Sequence, residues 1–178
     1  HRDGSSSPYY MASRNDDGAS LTAVTHTVRP NGVTIYSLLD DKVVLVRQYR
    51  YPLGGYVYEF PAGLVEPGED IAAAAVREMY EETGLVFTPI PSPFSRPYFS
   101  SVGMTDESCC LVFGRCQGTP TSIHQERSED IQVVLADRAE CRRILAQEQV
   151  AIQCAYMLMH FVSSQDDPLA FLGGEHHV

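Results

Sequence analysis

Positive charge is scarce in this chain: 13 lysines and arginines stand against 23 aspartates and glutamates, a formal net charge of −10. Nucleic-acid backbones and anionic membranes are gripped by basic patches, so neither is expected as the main partner. An acidic protein can still bind phosphates through metal. Long apolar runs are also missing. No uninterrupted run exceeds Ile71 to Val76, far short of a membrane span, and no charged-then-apolar leader opens the chain, so a soluble protein is expected. The five cysteines, Cys109, Cys110, Cys116, Cys141 and Cys154, are an odd set without a CxxC pair. That suits reduced thiols better than a disulfide framework or a zinc site, and a cytoplasmic location follows as an expectation. The chain starts at His1 with no initiator Met, as a trimmed sequence would, and nothing functional rests on that.

What is present is enough for one core. A chain of 178 residues, 44% hydrophobic, suits a single domain, expected over residues 21–162. Residues 1–20 form an N-terminal segment, and the polar residues 163–178 read as a flexible tail. Alternating or β-branched stretches predict strands at Leu21 to Val28, Val33 to Leu38, Val43 to Tyr49 and Tyr56 to Phe60. Further strands are expected at Tyr98 to Ser101, Ser108 to Gly114 and Ile131 to Leu135, with helices at Arg138 to Gln147 and Val150 to Val162. Between Glu69 and Glu82 the pattern turns helical: Ala72 to Ala75 favour the helix and Gly84 sits where a left-handed C-cap belongs.

That central helix carries a local conflict. Glu78, Glu81 and Glu82 stand at i, i+3 and i+4, so like charges crowd one face. They also lie in the last turn, where the helix dipole disfavours anions. Arg77 can reach Glu81 across i, i+4, but this leaves at least two glutamates, and Glu69, to be matched. Carboxylate oxygens are hard ligands, and with no His or Cys among them the set suits Mg²⁺ or Mn²⁺ rather than zinc. Read alone, the EMYEE string is a solvated acidic face. Its context reverses that reading.

The context runs Gly63, five residues, Glu69, seven residues, then Arg77-Glu78-Met79-Tyr80-Glu81-Glu82-Thr83-Gly84-Leu85. This resembles a complete Nudix box. The stretches Arg47 to Pro52 and Gly54 to Gly63 resemble the ADP-ribose pyrophosphatase branch of the Nudix hydrolases, and the element order extends the resemblance over roughly residues 20–160. It implies an α/β/α sandwich on a mixed sheet, with Glu78, Glu82 and the Ala62 carbonyl as metal ligands. It also implies that Glu81 shares the metal or holds Arg77, that Arg50 and Glu59 touch substrate, and that Arg47 is a further candidate. By their types alone, Arg50 could equally form a surface salt bridge, and Glu59 could point into a cleft or pair with an arginine.

Members of this branch place a further glutamate on a loop after the box. The stretch His124 to Ile131 resembles that loop and offers Glu129, as metal-proximal residue, and Glu126, both candidates for the general base. Residues Tyr98 to Glu107 resemble the segment at the nucleoside-sugar end of the pocket, which makes Gly103, Met104 and Glu107 candidate substrate contacts. Relatives acting on ADP-ribose usually carry Pro-Gly there, whereas Val102-Gly103 matches a version found in UDP-sugar diphosphatases. The resemblance therefore implies Mg²⁺-dependent hydrolysis of ADP-ribose to AMP and ribose 5-phosphate, with UDP-glucose cleavage to UMP and glucose 1-phosphate as the alternative. A homodimer is implied as well, with Tyr9, Tyr10 and the Leu21 to Leu38 region at the interface. A non-catalytic ligand-sensing domain is a third reading, opposed by the intact glutamate set.

Overall fold

The structure, a computed structural model, describes residues 2, 4–15, 17–125 and 130–173. Its centre is a mixed sheet. Strands β1 (Gly32–Leu39), β2 (Lys42–Arg50), β3 (Gly55–Glu59), β4 (Ala62–Leu64), β5 (Val86–Ile90), β6 (Pro97–Phe99), β7 (Ser108–Gln117) and β8 (Ile131–Ala136) all join it. The main path runs β3-β2-β1-β7-β5, with β8 on β2, β4 on β1 and β6 on β7. Among the named strands of the described residues, β1 and β7 pair in parallel, from Gly32 opposite Cys109 to Leu38 opposite Arg115, and the other strand pairings are antiparallel.

Strand alternation divides the side chains between two cores. Val33, Ile35, Val44 and Val112 meet Ala74, Ala75 and Met79 of helix α2 (Ile71–Thr83) on one face. Tyr36, Leu38, Val43, Leu45 and Phe113 meet Cys141, Ile144, Cys154, Leu158 and Phe161 on the other, from helices α3 (Arg138–Gln147) and α4 (Ile152–Ser163). This is an α/β/α sandwich. All five cysteines are free and four are buried; burial pushes the Cys141 thiol up to about 12.

Both ends of α2 are fixed by its sequence. The Asp70 carboxylate accepts from the Ala72 and Ala73 N–H groups, an N-cap that leaves Glu69 on the preceding turn rather than inside the helix. At the other end Gly84 adopts φ 71° and its N–H reaches the Tyr80 carbonyl. The Thr83 carbonyl accepts from Thr121 N–H at 2.8 Å, and the Glu82 carbonyl from Gln125 Nε2 at 2.7 Å. These groups satisfy carbonyls that a helix end leaves without a partner of its own.

Three expectations need correction. The stretch Leu21 to Val28 is not a strand: α1 (Thr22–Thr25) is a single helical turn, stopped by His26 at φ 53°. Its alternation arises from Thr and Ala on an exposed turn, with the Thr22 N–H bonded to Asp106 rather than to a strand. Strands β4 and β5 were not anticipated, β4 because three residues carry no readable period and β5 because Pro89 interrupts it. Pro89 is tolerated because β5 is the edge strand of the main path. Finally, the described part of the tail is packed: Leu169 is buried in the α3/α4 core and the Phe171 ring meets Phe113 edge-on.

Candidate active site

A cleft of about 670 Å³ opens beside α2, lined among others by Arg50, Glu59, Glu78, Glu81, Glu82 and Glu107. Its floor follows from strand parity. On β2 the residues in step with Val44 face the α2 side, which carries Gln48 and Arg50 into the cleft. On β3 the same alternation delivers Glu59. There Arg50 Nε donates to Glu59 Oε2 at 2.7 Å, so Glu59 both lines the cleft and holds the arginine.

Helix α2 supplies the acidic wall. Glu82 is buried, 3% exposed, and its Oε2 accepts from the Ala62 N–H at 3.1 Å. Glu78 is largely buried and presses against β4, where Gly63 leaves room for its carboxylate. Glu81 is more exposed. Arg77 ties the group together: its Nε and Nη2 grip both Glu69 oxygens at 2.9 Å, its Nη1 reaches Glu78 at 2.7 Å and Glu81 at 3.0 Å, and Nη2 also donates to the Leu64 carbonyl. Every N–H of this guanidinium thus has an acceptor. The bond from Arg77, with help from the Glu66 N–H, holds the Glu69 carboxyl down to about 2, and the same bond pushes Arg77 above its usual range.

The donor set suits a hard divalent cation. Glu78 and Glu82 offer carboxylate oxygens on one wall, and Ala62 lies beside them. Among the described residues no three His, Cys, Asp or Glu side chains converge tightly enough to hold an ion alone. Hard divalent cations held by one or two protein carboxylates complete their shell with water and substrate phosphate.

The remaining candidates divide by face and by loop. Glu107 lines the cleft, bonded to Ser100 Oγ at 3.0 Å and to Arg14 at 2.5 Å. Arg47 does not reach the cleft: one residue out of step with Gln48, it lies over the Tyr56 ring at 4.2 Å and donates to Gln132. Met104 lines a separate, mostly apolar cavity with Tyr9, Met11, Phe99 and Val102, and the Gly103 carbonyl accepts from Tyr9 Oη at 2.7 Å. The segment 101–105 folds against the N-terminal residues, which carries both away from the cleft. Glu126 and Glu129 lie outside the described residues. Gln48 and Arg14 are among the cleft residues that escaped the sequence reading. Gln48 could have been found from Arg50 by counting back two, whereas Arg14 had no local signal.

The NUDIX domain family model matches residues 28–153, and the chain belongs to that family. A Caenorhabditis elegans protein named as a nudix hydrolase is 38% identical over 124 residues, covering 70% of this chain and 50% of that protein. The ADP-ribose pyrophosphatase of Saccharomyces cerevisiae is 41% identical over 91 residues, 46% of this chain and 37% of its own length. The ADP-sugar pyrophosphatase of Mus musculus is 60% identical over 48 residues, 27% and 22% of the two chains. The chain thus spans half or less of the length of these curated relatives. A NUDIX-family hydrolase from Clostridium perfringens shares the fold at a TM-score of 0.55 and 13% identity, over 78% of this chain and all of that one.

Proposed function

We propose that this chain is a metal-dependent hydrolase that cuts the diphosphate of a nucleoside diphosphate sugar, ADP-ribose to AMP and ribose 5-phosphate being the foremost candidate. The observation that carries this reading is the meeting, in one cleft, of the Glu78–Glu82 carboxylate wall with the Arg50–Glu59 pair. The cleft's volume falls within the range of small-molecule sites. Similarity to relatives named for ADP-ribose and ADP-sugar cleavage supports the substrate class.

Glu78 and Glu82, with the Ala62 carbonyl, would hold Mg²⁺ or Mn²⁺, which neutralises diphosphate charge and lowers the pKa of a bound water. The protein's own part is placement. Arg77 fixes the rotamer of Glu78 and the Ala62 N–H fixes that of Glu82. Arg50, anchored through Nε, presents its terminal nitrogens to a phosphate or an adenine edge. In this proposal Glu126 or Glu129 takes the proton from the attacking water, a homodimer is the assembly and the cytoplasm the location, all on the family resemblance.

The test is product analysis with Mg²⁺, offering ADP-ribose, UDP-glucose, NADH, diadenosine polyphosphates and 8-oxo-dGTP side by side, with Glu82→Gln as control. AMP with ribose 5-phosphate, lost in the variant, is expected. UMP from UDP-glucose would move the substrate to the UDP-sugar class, and no turnover of any compound would overturn the hydrolase reading in favour of a sensor.

A further inference from the structure

The C-terminal end of a helix is its least favourable place for a carboxylate, because the last carbonyls project partial negative charge there. Glu81 and Glu82 nevertheless sit in the last turn of α2. A segment that follows β7 crosses this end and grips it by backbone, side chain and ring. The Thr121 N–H donates to the Thr83 carbonyl at 2.8 Å, and Gln125 Nε2 donates to the Glu82 carbonyl at 2.7 Å. The His124 ring stacks on Tyr80, with centroids 4.3 Å apart. The Gln125 N–H bonds in turn to the Ser122 carbonyl at 3.2 Å, a local turn that brings Thr121 and Gln125 to the same helix end.

The Gln125 bond falls on the main chain of a cleft glutamate. Glu82 is thereby held at two points, its Oε2 accepting from the Ala62 N–H at 3.1 Å and its carbonyl from Gln125. The type of donor matters. A lysine or arginine could cap the same carbonyl and would suit the helix dipole. Its charge, however, would stand near the carboxylates and oppose the arrival of a cation. A neutral amide satisfies the carbonyl without that opposition.

We infer that Gln125 is a positioning residue for the metal site: its amide clamps the last turn of α2, so that the Glu82 carboxylate stays where a divalent cation would meet it. The inference rests on the hydrolase reading above and adds a coupling to it. Helix ends open when their carbonyls lose partners, and a site formed for only part of the time binds its ligand more weakly in proportion. The coupling is reciprocal, so a cation bound at Glu82 tightens the 121–125 segment in return.

The experiment compares wild type, Gln125→Met and Gln125→Ala by calorimetric Mg²⁺ binding, by amide hydrogen exchange at Thr121 with and without Mg²⁺, by melting temperature, and by the Mg²⁺ dependence of ADP-ribose hydrolysis. Met keeps the length of the side chain and removes the donor, whereas Ala removes both, so agreement between the two isolates the hydrogen bond. Each should weaken Mg²⁺ binding about fivefold, the scale of one hydrogen bond, and raise the Mg²⁺ concentration for half-maximal turnover by the same factor. KM for ADP-ribose at saturating Mg²⁺ should stay within about twofold and the melting temperature within about 2 °C. Mg²⁺ should slow exchange of the Thr121 amide in wild type and do so less in both variants. Unchanged Mg²⁺ affinity in the variants, or a loss that comes with a matching rise in KM and a fall in melting temperature, would overturn the assignment while leaving the hydrolase reading intact. Absence of turnover in the wild type would instead overturn that reading, and this one with it.

Discussion

A β-carbon at residue 63 would stand 1.9 Å from the carboxyl carbon of Glu78. Gly63 on β4 and Glu78 on α2 therefore occupy one space, and the glycine that opens the box exists to admit the glutamate that would hold metal. Gly63→Ala should push Glu78 aside. Because the displaced atoms are the far end of a flexible side chain, stability should change by under about 1 kcal/mol, whereas turnover should drop about 100-fold. Paired thermal melts and ADP-ribose kinetics check this, and a large loss of stability with turnover retained would refute it.

Arg77 is the common counterion of Glu69, Glu78 and Glu81. Replacing it by Met leaves three carboxylates without that partner in a partly buried wall. Urea unfolding of Arg77→Met should show a loss of roughly 2 kcal/mol, the scale of lost charged hydrogen bonds. Added Mg²⁺ should restore part of that loss by binding the native state.

The Glu69 carboxyl, with an ordinary value of 4.5, is held at about 2 in the folded chain by Arg77 first and the Glu66 N–H second. Its folded value is depressed, so its contribution to stability is fully present above about 4.5 and is lost as pH falls through about 2. Melting temperature followed from pH 5 down to pH 2 should decline, and Glu69→Gln should flatten that decline. A variant whose slope equals that of wild type would show that other carboxylates carry it.

Gly84 combines a left-handed backbone with a crowded site. Its φ is 71°, and a β-carbon there would approach Thr121 Cγ2 to 2.2 Å and the Thr121 backbone to 3.1 Å. Gly84→Ala should cost at least about 1 kcal/mol in chemical denaturation. Gly54, also at positive φ but with nothing near a β-carbon, should lose less on the same substitution.

Much of this protein is written locally. Asp70, the alanines and Gly84 determine α2 and its ends, while β1 follows from alternation and β2 from a β-branched run along its own residues. The glutamates at 78, 81 and 82 share a face for the same reason, since 3.6 residues make a turn whatever lies around them. What failed locally was short or contradictory: β4 has three residues, β5 contains a proline, and α1 is one turn of residues that also suit a strand.

Tertiary structure alone decided which charges share the cleft. Strand parity puts Arg47 and Arg50 on opposite faces, but only the packing of α2 and of α3 with α4 makes one face the cleft wall and the other a surface where Arg47 rests on Tyr56. Arg14 and Glu107 are separated by 93 residues and meet because the N-terminal segment docks on the 100–107 region. No period in a sequence encodes such a meeting, since it depends on long-range packing and not on the conformation of neighbouring residues.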